Sequence, residues 1–467
     1  MKKIHILYLT LLTLIGITFL SCEESDNLGS TPIQVTKIYL EDHESSVPDR
    51  PVEFARLGQM IRIEGSGFLG MKKVFINGYD TYFNVAYVTD NSMLISIHRN
   101  TPVVDAEEEV RNTIQLVKEG TDITYTFTIM AASPTITRLS NTLPQPGDLV
   151  TAYGENLHET SKVTLPGGVE VTNIVSDEEG EWFTFTMPDG VTASGSLFSE
   201  GANGKAATPA YFNFTEGILL DWDGNGEGGA WSWSEGGSMI GIQDSDDQQS
   251  DLVSDPLNSG RGNCVPLIPE RILNGANGGV VAGKARATEV WTAGTDNPMD
   301  DWSRMYAYIP ETTPLNEVAF QFDIYVPDPW SNTGQIQVVL YNNFNFTGVG
   351  SDDDGQRTAF YIPYIQDGVM VPYQTEGWET VTIPFSEFGY YANMLEDDEA
   401  TPPTFKNVVE DRLAATYQNF GMGIVNTDFT YQEVEVVSTL FNQKIYVDNW
   451  RVVPVKKVTV SDYDDEE

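Results

Sequence analysis

From residue 318 onward, apolar and polar positions alternate with a period of two: Phe320, Phe322, Ile324 and Val326 stand against Gln321, Asp323 and Tyr325. Successive side chains of a strand point to opposite faces, so this spacing predicts a strand with a buried face. Ile336, Val338 and Leu340 against Gln335, Gln337 and Tyr341 predict a second, Val381 and Ile383 a third that runs into Pro384, and Ile445, Val447 and Val452-Val453 the closing strands. Helical periodicity is confined to Val408–Tyr417. Many short amphipathic strands bury their apolar faces most economically in two packed sheets, so residues 216–455 are expected to form a jelly-roll β-sandwich.

A different pattern fills residues 32–215. Aligned on itself at a shift of 89 residues, the chain brings Gly58-Gln59-Met60-Ile61-Arg62-Ile63-Glu64-Gly65 onto Gly147-Asp148-Leu149-Val150-Thr151-Ala152-Tyr153-Gly154. Val74-Phe75-Ile76-Asn77-Gly78 falls on Val163-Thr164-Leu165-Pro166-Gly167, and Leu94-Ile95-Ser96-Ile97 on Phe183-Thr184-Phe185-Thr186. Short β-type runs repeating at one offset mean a duplicated module, placed at 32–132 and 133–215. Its G-x-x-[VI]-x-[VI]-x-G-x-x-[FL] pattern, followed by a V-x-[FIL] strand and a glycine turn, resembles the IPT/TIG immunoglobulin-like domain. The fold class expected is therefore all-β: two tandem immunoglobulin-like sandwiches, then the larger jelly-roll β-sandwich.

Lys2 and Lys3 followed by the apolar run Ile4–Leu20 read as a secretory signal over residues 1–21. Ser21-Cys22 resembles a bacterial lipobox, which implies lipidation of Cys22, a lipidated linker at 22–31 and anchoring in a membrane. Glu23-Glu24-Ser25-Asp26 resembles the acidic tag that exports Bacteroidota lipoproteins to the outer face of the outer membrane. Formal charge is −42, and loss of Lys2 and Lys3 with the signal leaves 24 basic against 68 acidic residues. Such a field repels phosphate, which excludes nucleic acid as a partner and leaves a neutral one open. Cys22 and Cys264 are the two cysteines and the four histidines are scattered, so no disulfide framework, metal centre or cofactor is expected. Residues 456–467 are an acidic tail.

Catalytic constellations are faint. Glu433-Val434-Glu435 would place two carboxylates on one strand face, yet Val437 stands where a glucanase-type third acid would be. Asp221-x-Asp223-x-Asn225-Gly226 starts like a calcium loop but has Ser232 in place of the closing Glu, so a tight turn is the reading. The remaining signal is aromatic: pyranose C–H faces stack on indole and phenol rings while hydroxyls need amide and carboxylate partners. Trp378 and Trp450 open or close strands and are expected in the core. Trp330 follows Pro327-Asp328-Pro329 in a polar loop and is the expected central platform. Trp291, Trp302 and one of Tyr361 or Tyr364 would extend it, with Gln337 and Tyr341 as hydroxyl partners.

Taken whole, the chain resembles the surface glycan-binding protein B family of Bacteroidota polysaccharide-utilisation loci, typified by xyloglucan binders. The resemblance implies non-catalytic capture of a neutral polysaccharide or oligosaccharide, such as xyloglucan or mixed-linkage β-glucan, beside an outer-membrane importer and a companion surface binder. A β-mannan-binding member of the same family, a surface endo-glycanase with immunoglobulin-like spacers and a protein-binding adhesin are the competing expectations.

Overall fold

In both repeated modules one glycine lets a strand press against its neighbour. Gly65 and Gly154 occupy equivalent places in the strands Met60–Ser66 and Leu149–Glu155, and a Cβ at either would lie 1.8 Å from a carbonyl oxygen, of Gln34 or Thr135 respectively. The computed structural model describes residues 31–41, 51–228, 230–233, 252–267, 289–341, 357–397, 401–439, 441 and 443–460. Cys22, the signal and linker segments, Asp352–Gly355 and most of the acidic tail lie outside them. The chain divides into two compact units, Met1–Ser133 and Pro134–Glu467.

The first unit packs the sheet Gln34–Leu40, Met60–Ser66, Ser92–Ser96 on the sheet Tyr79–Thr81, Met71–Ile76, Thr113–Lys118, Thr121–Thr126. Ile61, Ile63, Val74, Ile76, Met93, Ile95, Ile114 and Leu116 form its core. The second module opens the second unit and repeats the scheme around Val150, Ala152, Val163, Leu165, Phe183 and Phe185. Pairing corrects one detail of the expected alignment. Ile63 faces Met93 whereas Ala152 faces Phe183, so the shift of 89 becomes 90 by the third strand. One residue has been inserted between, and the 89-residue alignment had matched an outward position to an inward one.

The remainder of this unit is two packed sheets. One runs Val253–Ser254, Asn263–Leu267, Ile445–Pro454, Val318–Tyr325, Glu379–Pro384, with Ile218–Leu220 also pairing to Ile445–Pro454. The other runs Trp231–Trp233, Glu289–Trp291, Gly421–Val425, Gln335–Val339, Thr358–Tyr361. Phe320, Phe322 and Ile324 meet Ile336, Val338, Met422 and Ile424 between them, with Trp450 fully buried, as alternation and strand position predict. The helix Phe405–Ala414 starts three residues before the expected segment, where Thr404 and Asn407 form a capping box, and a second helix, Gly389–Glu396, carries no sequence signal of comparable strength.

The outer face of the six-stranded sheet is polar yet buried. Asp448 and Arg451 are three residues apart and would point to opposite faces of a regular strand. A register shift opposite Gln321–Asp323, with Asn449 at φ 51°, puts both beside Asp323. Asp323 accepts from Arg451 Nη2 at 2.9 Å, Thr380 Oγ1 at 2.8 Å, Arg261 Nη1 at 2.6 Å and Asn449 Nδ2 at 3.1 Å. The second immunoglobulin-like module covers this face. Thr142 Oγ1 donates to Gln321 Oε1 at 2.9 Å and accepts from Arg451 Nη2 at 2.7 Å, Thr380 N donates to Ser140 O at 2.7 Å, and Ala319 and Val453 belong to the module's own apolar cluster. Residues on both sides of the boundary expected at 215/216 belong to the same compact unit, Pro134–Glu467.

Candidate functional site

The outward face of the five-stranded sheet is where aromatic rings and polar groups come together. Trp231, Trp291, Gly421, Val339 and Thr358 lie opposite one another in register, and the next outward row carries Glu289, Gly423, Gln337 and Phe360. Four inter-strand spacings of about 4.8 Å make the first row roughly 19 Å long and three make the second roughly 14 Å, and most of the residues in both rows are buried. Gly421 explains the arrangement: a Cβ there would lie 2.3 Å from Trp291 Cε3, so the indole lies flat across the glycine. Trp231, half-buried on the edge strand, stacks on Trp291 with centroids 5.6 Å apart and planes 23° apart. Trp291 Nε1 donates to Glu289 Oε2 at 3.1 Å, which fixes the lower ring of the stack.

At the end of the same strand that carries Val339, Tyr341 adds a further ring. The Arg357 guanidinium lies 5.5 Å from the Tyr341 ring and 3.6 Å from that of Tyr390, and its Nε donates to Asp411 at 2.8 Å. Tyr391 donates to the same carboxylate at 2.8 Å. Burial raises the Tyr341 hydroxyl above its ordinary range against the opposing pull of Arg357, so it stays a neutral donor and acceptor. Rings, a guanidinium and a carboxylate in one half-buried group match the needs of a saccharide: C–H faces to stack and hydroxyls to bond.

Several residues singled out in the sequence are elsewhere. Trp330 is fully buried, and this corrects its assignment as an exposed platform. The proline-bounded loop does pair: Trp330 exchanges backbone hydrogen bonds with Tyr373 at 2.8 and 2.9 Å, which folds the ring inward onto Tyr364 and Phe441, and Nε1 donates to Thr333 O at 2.8 Å. Tyr364 is buried with it, donating to Gly334 O at 2.7 Å. Tyr361 is half-buried and turned inward, edge-on to Phe322 and Tyr373. Trp302 is buried too: it donates to Asp300 at 3.0 Å and carries the Arg412 guanidinium 4.1 Å above its ring. Trp330, Tyr364 and Trp302 are packed wholly within the fold, and Tyr361 packs inward against it. Trp291, Gln337 and Tyr341 do share the outward side, although Trp291 and Gln337 are covered and Tyr341 is half-buried.

Trp231 is not among the residues singled out in the sequence. Its signal was the alternation in Trp231-Ser232-Trp233, which makes a tryptophan recur with the period of a strand face, and the Gly421-x-Gly423 spacing that clears that face. The acid pair dissolves: Glu433, at φ 66°, sits in the turn between Phe429–Tyr431 and Val434–Val436, and both it and Glu435 are exposed. Asp221 accepts from the backbone N–H groups of Asp223 and Asn225 at 3.1 and 2.9 Å, as a tight turn requires. Among the described residues no group of three or more His, Cys, Asp or Glu is placed to hold a metal ion.

A β-sandwich with a ring-and-carboxylate strip along one sheet face, behind immunoglobulin-like modules, defines a carbohydrate-binding protein in class. Comparison with known proteins agrees. Residues 212–454, just over half of the chain, match the surface glycan-binding protein B xyloglucan binding domain, and the chain belongs to that family of non-catalytic glycan binders. An IPT/TIG domain-containing protein of Bacteroides ovatus is 28% identical over 227 residues, 44% of this chain, and the match spans 46% of that relative's length. The crystal structure of the surface glycan-binding protein PbSGBP-B from Prevotella bryantii superposes with a TM-score of 0.62 at 18% identity, covering 92% of this chain and all of that one, which shows a shared fold.

Proposed function

We propose that the protein captures a neutral plant β-glycan, of the xyloglucan, mixed-linkage β-glucan or related hemicellulose type, at the cell surface and hands it uncleaved to an outer-membrane importer beside a companion surface binder. The observation that carries this reading is the Trp231–Trp291 stack over Gly421, flanked by Glu289 and Gln337 and continued by Tyr341, Arg357 and Tyr390. Family membership supports it, and the acidity of the chain favours a neutral ligand over an anionic one. Lipid attachment at Cys22 would hold the chain on the outer face of the outer membrane. Among the described residues no helix is long and apolar enough to cross a membrane. Affinity electrophoresis of the mature protein against neutral and anionic polysaccharides tests the reading. Retardation by xyloglucan or mixed-linkage β-glucan with no release of reducing ends supports it; retardation by anionic polymers alone refutes it.

A further inference from the structure

One end of the first immunoglobulin-like module carries rings that its fold does not use. Between the strands Tyr79–Thr81 and Ser92–Ser96, Tyr82, Val85 and Tyr87 are 83%, 72% and 58% exposed, and Leu69 in a neighbouring turn is exposed as well. The duplicated module shows that the rings are not a requirement of the sandwich. Ile76 pairs with Tyr79 and Leu165 with Val169, so from Tyr79 onward the copies are 90 residues apart, and Thr172 and Asp177 stand where the first copy has Tyr82 and Tyr87. Exposed apolar side chains gathered at one place mark an interaction surface. Backbone hydrogen bonds fix where it lies: Gly65 N donates to Asn91 O at 3.0 Å and Phe68 N to Asp90 O at 3.2 Å. Beside them Lys118 Nζ donates to Gly67 O at 2.9 Å and Thr31 O at 3.3 Å, so the rings occupy the end of the sandwich at which the chain enters.

What precedes Thr31 selects the occupant. Nine residue steps separate it from Cys22, at most about 30 Å of extended chain, so lipid attachment at Cys22 would hold this end of the module against the membrane. The polar side chains of the segment are already engaged. Asn84 Oδ1 accepts from Ala86 N at 3.0 Å, Thr89 Oγ1 from the N–H groups of Asn91 and Ser92 at 3.3 and 3.0 Å, and Asn91 Nδ2 donates to Gly65 O at 3.4 Å. A saccharide would meet rings without the hydroxyl partners that it needs, whereas the headgroup boundary of a bilayer takes Leu and Val side chains and Tyr rings whose hydroxyls reach water. Exposed Asp90, Glu119 and Lys72 at this end mix both signs, which suits zwitterionic headgroups better than an anionic surface. We propose that Leu69, Tyr82, Val85 and Tyr87 seat the first module on a zwitterionic lipid surface, so that it stands on the membrane in one orientation instead of swinging from its anchor. A tethered patch needs little affinity of its own, because the anchor keeps its effective concentration high. The proposal rests on lipid attachment at Cys22 and is independent of the glycan strip.

The test reconstitutes the lipidated full-length protein in phosphatidylcholine vesicles with a polarity-sensitive fluorophore on Val85→Cys or, as a control, on Val104→Cys. Val104 is exposed beyond the far end of the strand Ser92–Ser96, and Cys264 is buried, so the introduced thiol takes the label. Vesicle flotation comes first. The label at position 85 should shift its emission to shorter wavelength and resist iodide quenching severalfold better than the label at position 104. Adding Tyr82→Thr and Tyr87→Asp, the residues of the second module, should abolish both effects while the protein still floats with the vesicles. A chain left out of the floated band refutes the anchor and the docking together. A floated chain in which the two labels behave alike overturns the docking alone, as does a shift that survives the double substitution, since the fluorophore would then be inserting by itself. Protection that appears only in outer-membrane fragments, and not in pure lipid, would assign the patch to a protein partner and likewise overturn the proposal.

Discussion

Replacing Asp323 by Asn should destabilise the second unit more than any surface change, because this carboxylate is the hub of the module junction. Both of its oxygens accept from two donors, Oδ1 from Arg451 and Thr380 and Oδ2 from Arg261 and Asn449. The amide has nearly the same shape, so no cavity forms. It instead leaves two buried guanidinium groups short of a negative charge and turns an NH₂ toward one of the donor pairs. Removing one partner of a buried ion pair costs about 3–5 kcal/mol. At about 2 °C per kcal/mol for a large domain, the melting temperature should fall by roughly 6–10 °C at neutral pH. Burial alone would raise the Asp323 carboxyl, but Arg451 and Arg261 overcome it and hold the group below its ordinary range. A depressed carboxylate stabilises above its unfolded value of about 3.9 and loses that contribution as pH falls through the lower folded value, so the gap between the two proteins should narrow in acid. Thermal unfolding followed by near-UV circular dichroism across pH checks this. A neutral-pH shift under 2 °C, or a gap that widens in acid, would refute the reasoning.

Other outcomes follow from the same packing. Gly421→Ala forces its new methyl into the Trp291 ring, so it should cost about 1–3 kcal/mol in stability and weaken glycan retardation by displacing the stack; a variant that melts and binds like wild type contradicts the assigned role of the glycine. Trp330→Ala should cost about 3–5 kcal/mol in folding as a core truncation, and normal melting with selective loss of binding would restore the platform reading. Burial pushes the Cys264 thiol up to about 12, so it should stay unreactive to an aromatic disulfide reagent near neutral pH and react only on unfolding; rapid native labelling would show the thiol to be reachable.

Alternation made the sandwich legible because Phe320, Phe322 and Ile324 face a core that every strand shares. The same alternation marks Gln321 and Asp323 as facing away from that core. What buries them is Arg451 and Arg261, distant in sequence, and Thr142 of the preceding module, a partnership that no local pattern announces. Trp330 failed for a related reason. Proline in its loop excludes regular sheet, but a single bridge to Tyr373, far along the chain, suffices to turn the ring inward. The outward side of the five-stranded sheet was half visible: Trp291, Gln337 and Tyr341 share it, whereas the stack of Trp231 on Trp291 forms only once the edge strand pairs with Glu289–Trp291. The repeat was legible to within one inserted residue.

Trp231 is the ring on which the account depends most. Calorimetric titration of the mature protein with xylogluco-oligosaccharides, compared with Trp231→Ala, tests it directly. Loss of a stacking hot spot should cost about 2 kcal/mol or more, a fall of roughly 30-fold in affinity, with the melting temperature within a few degrees of wild type because the ring is half-buried on an edge strand. Unchanged affinity in a folded Trp231→Ala protein would contradict the assignment of the glycan site to the outward face of the five-stranded sheet.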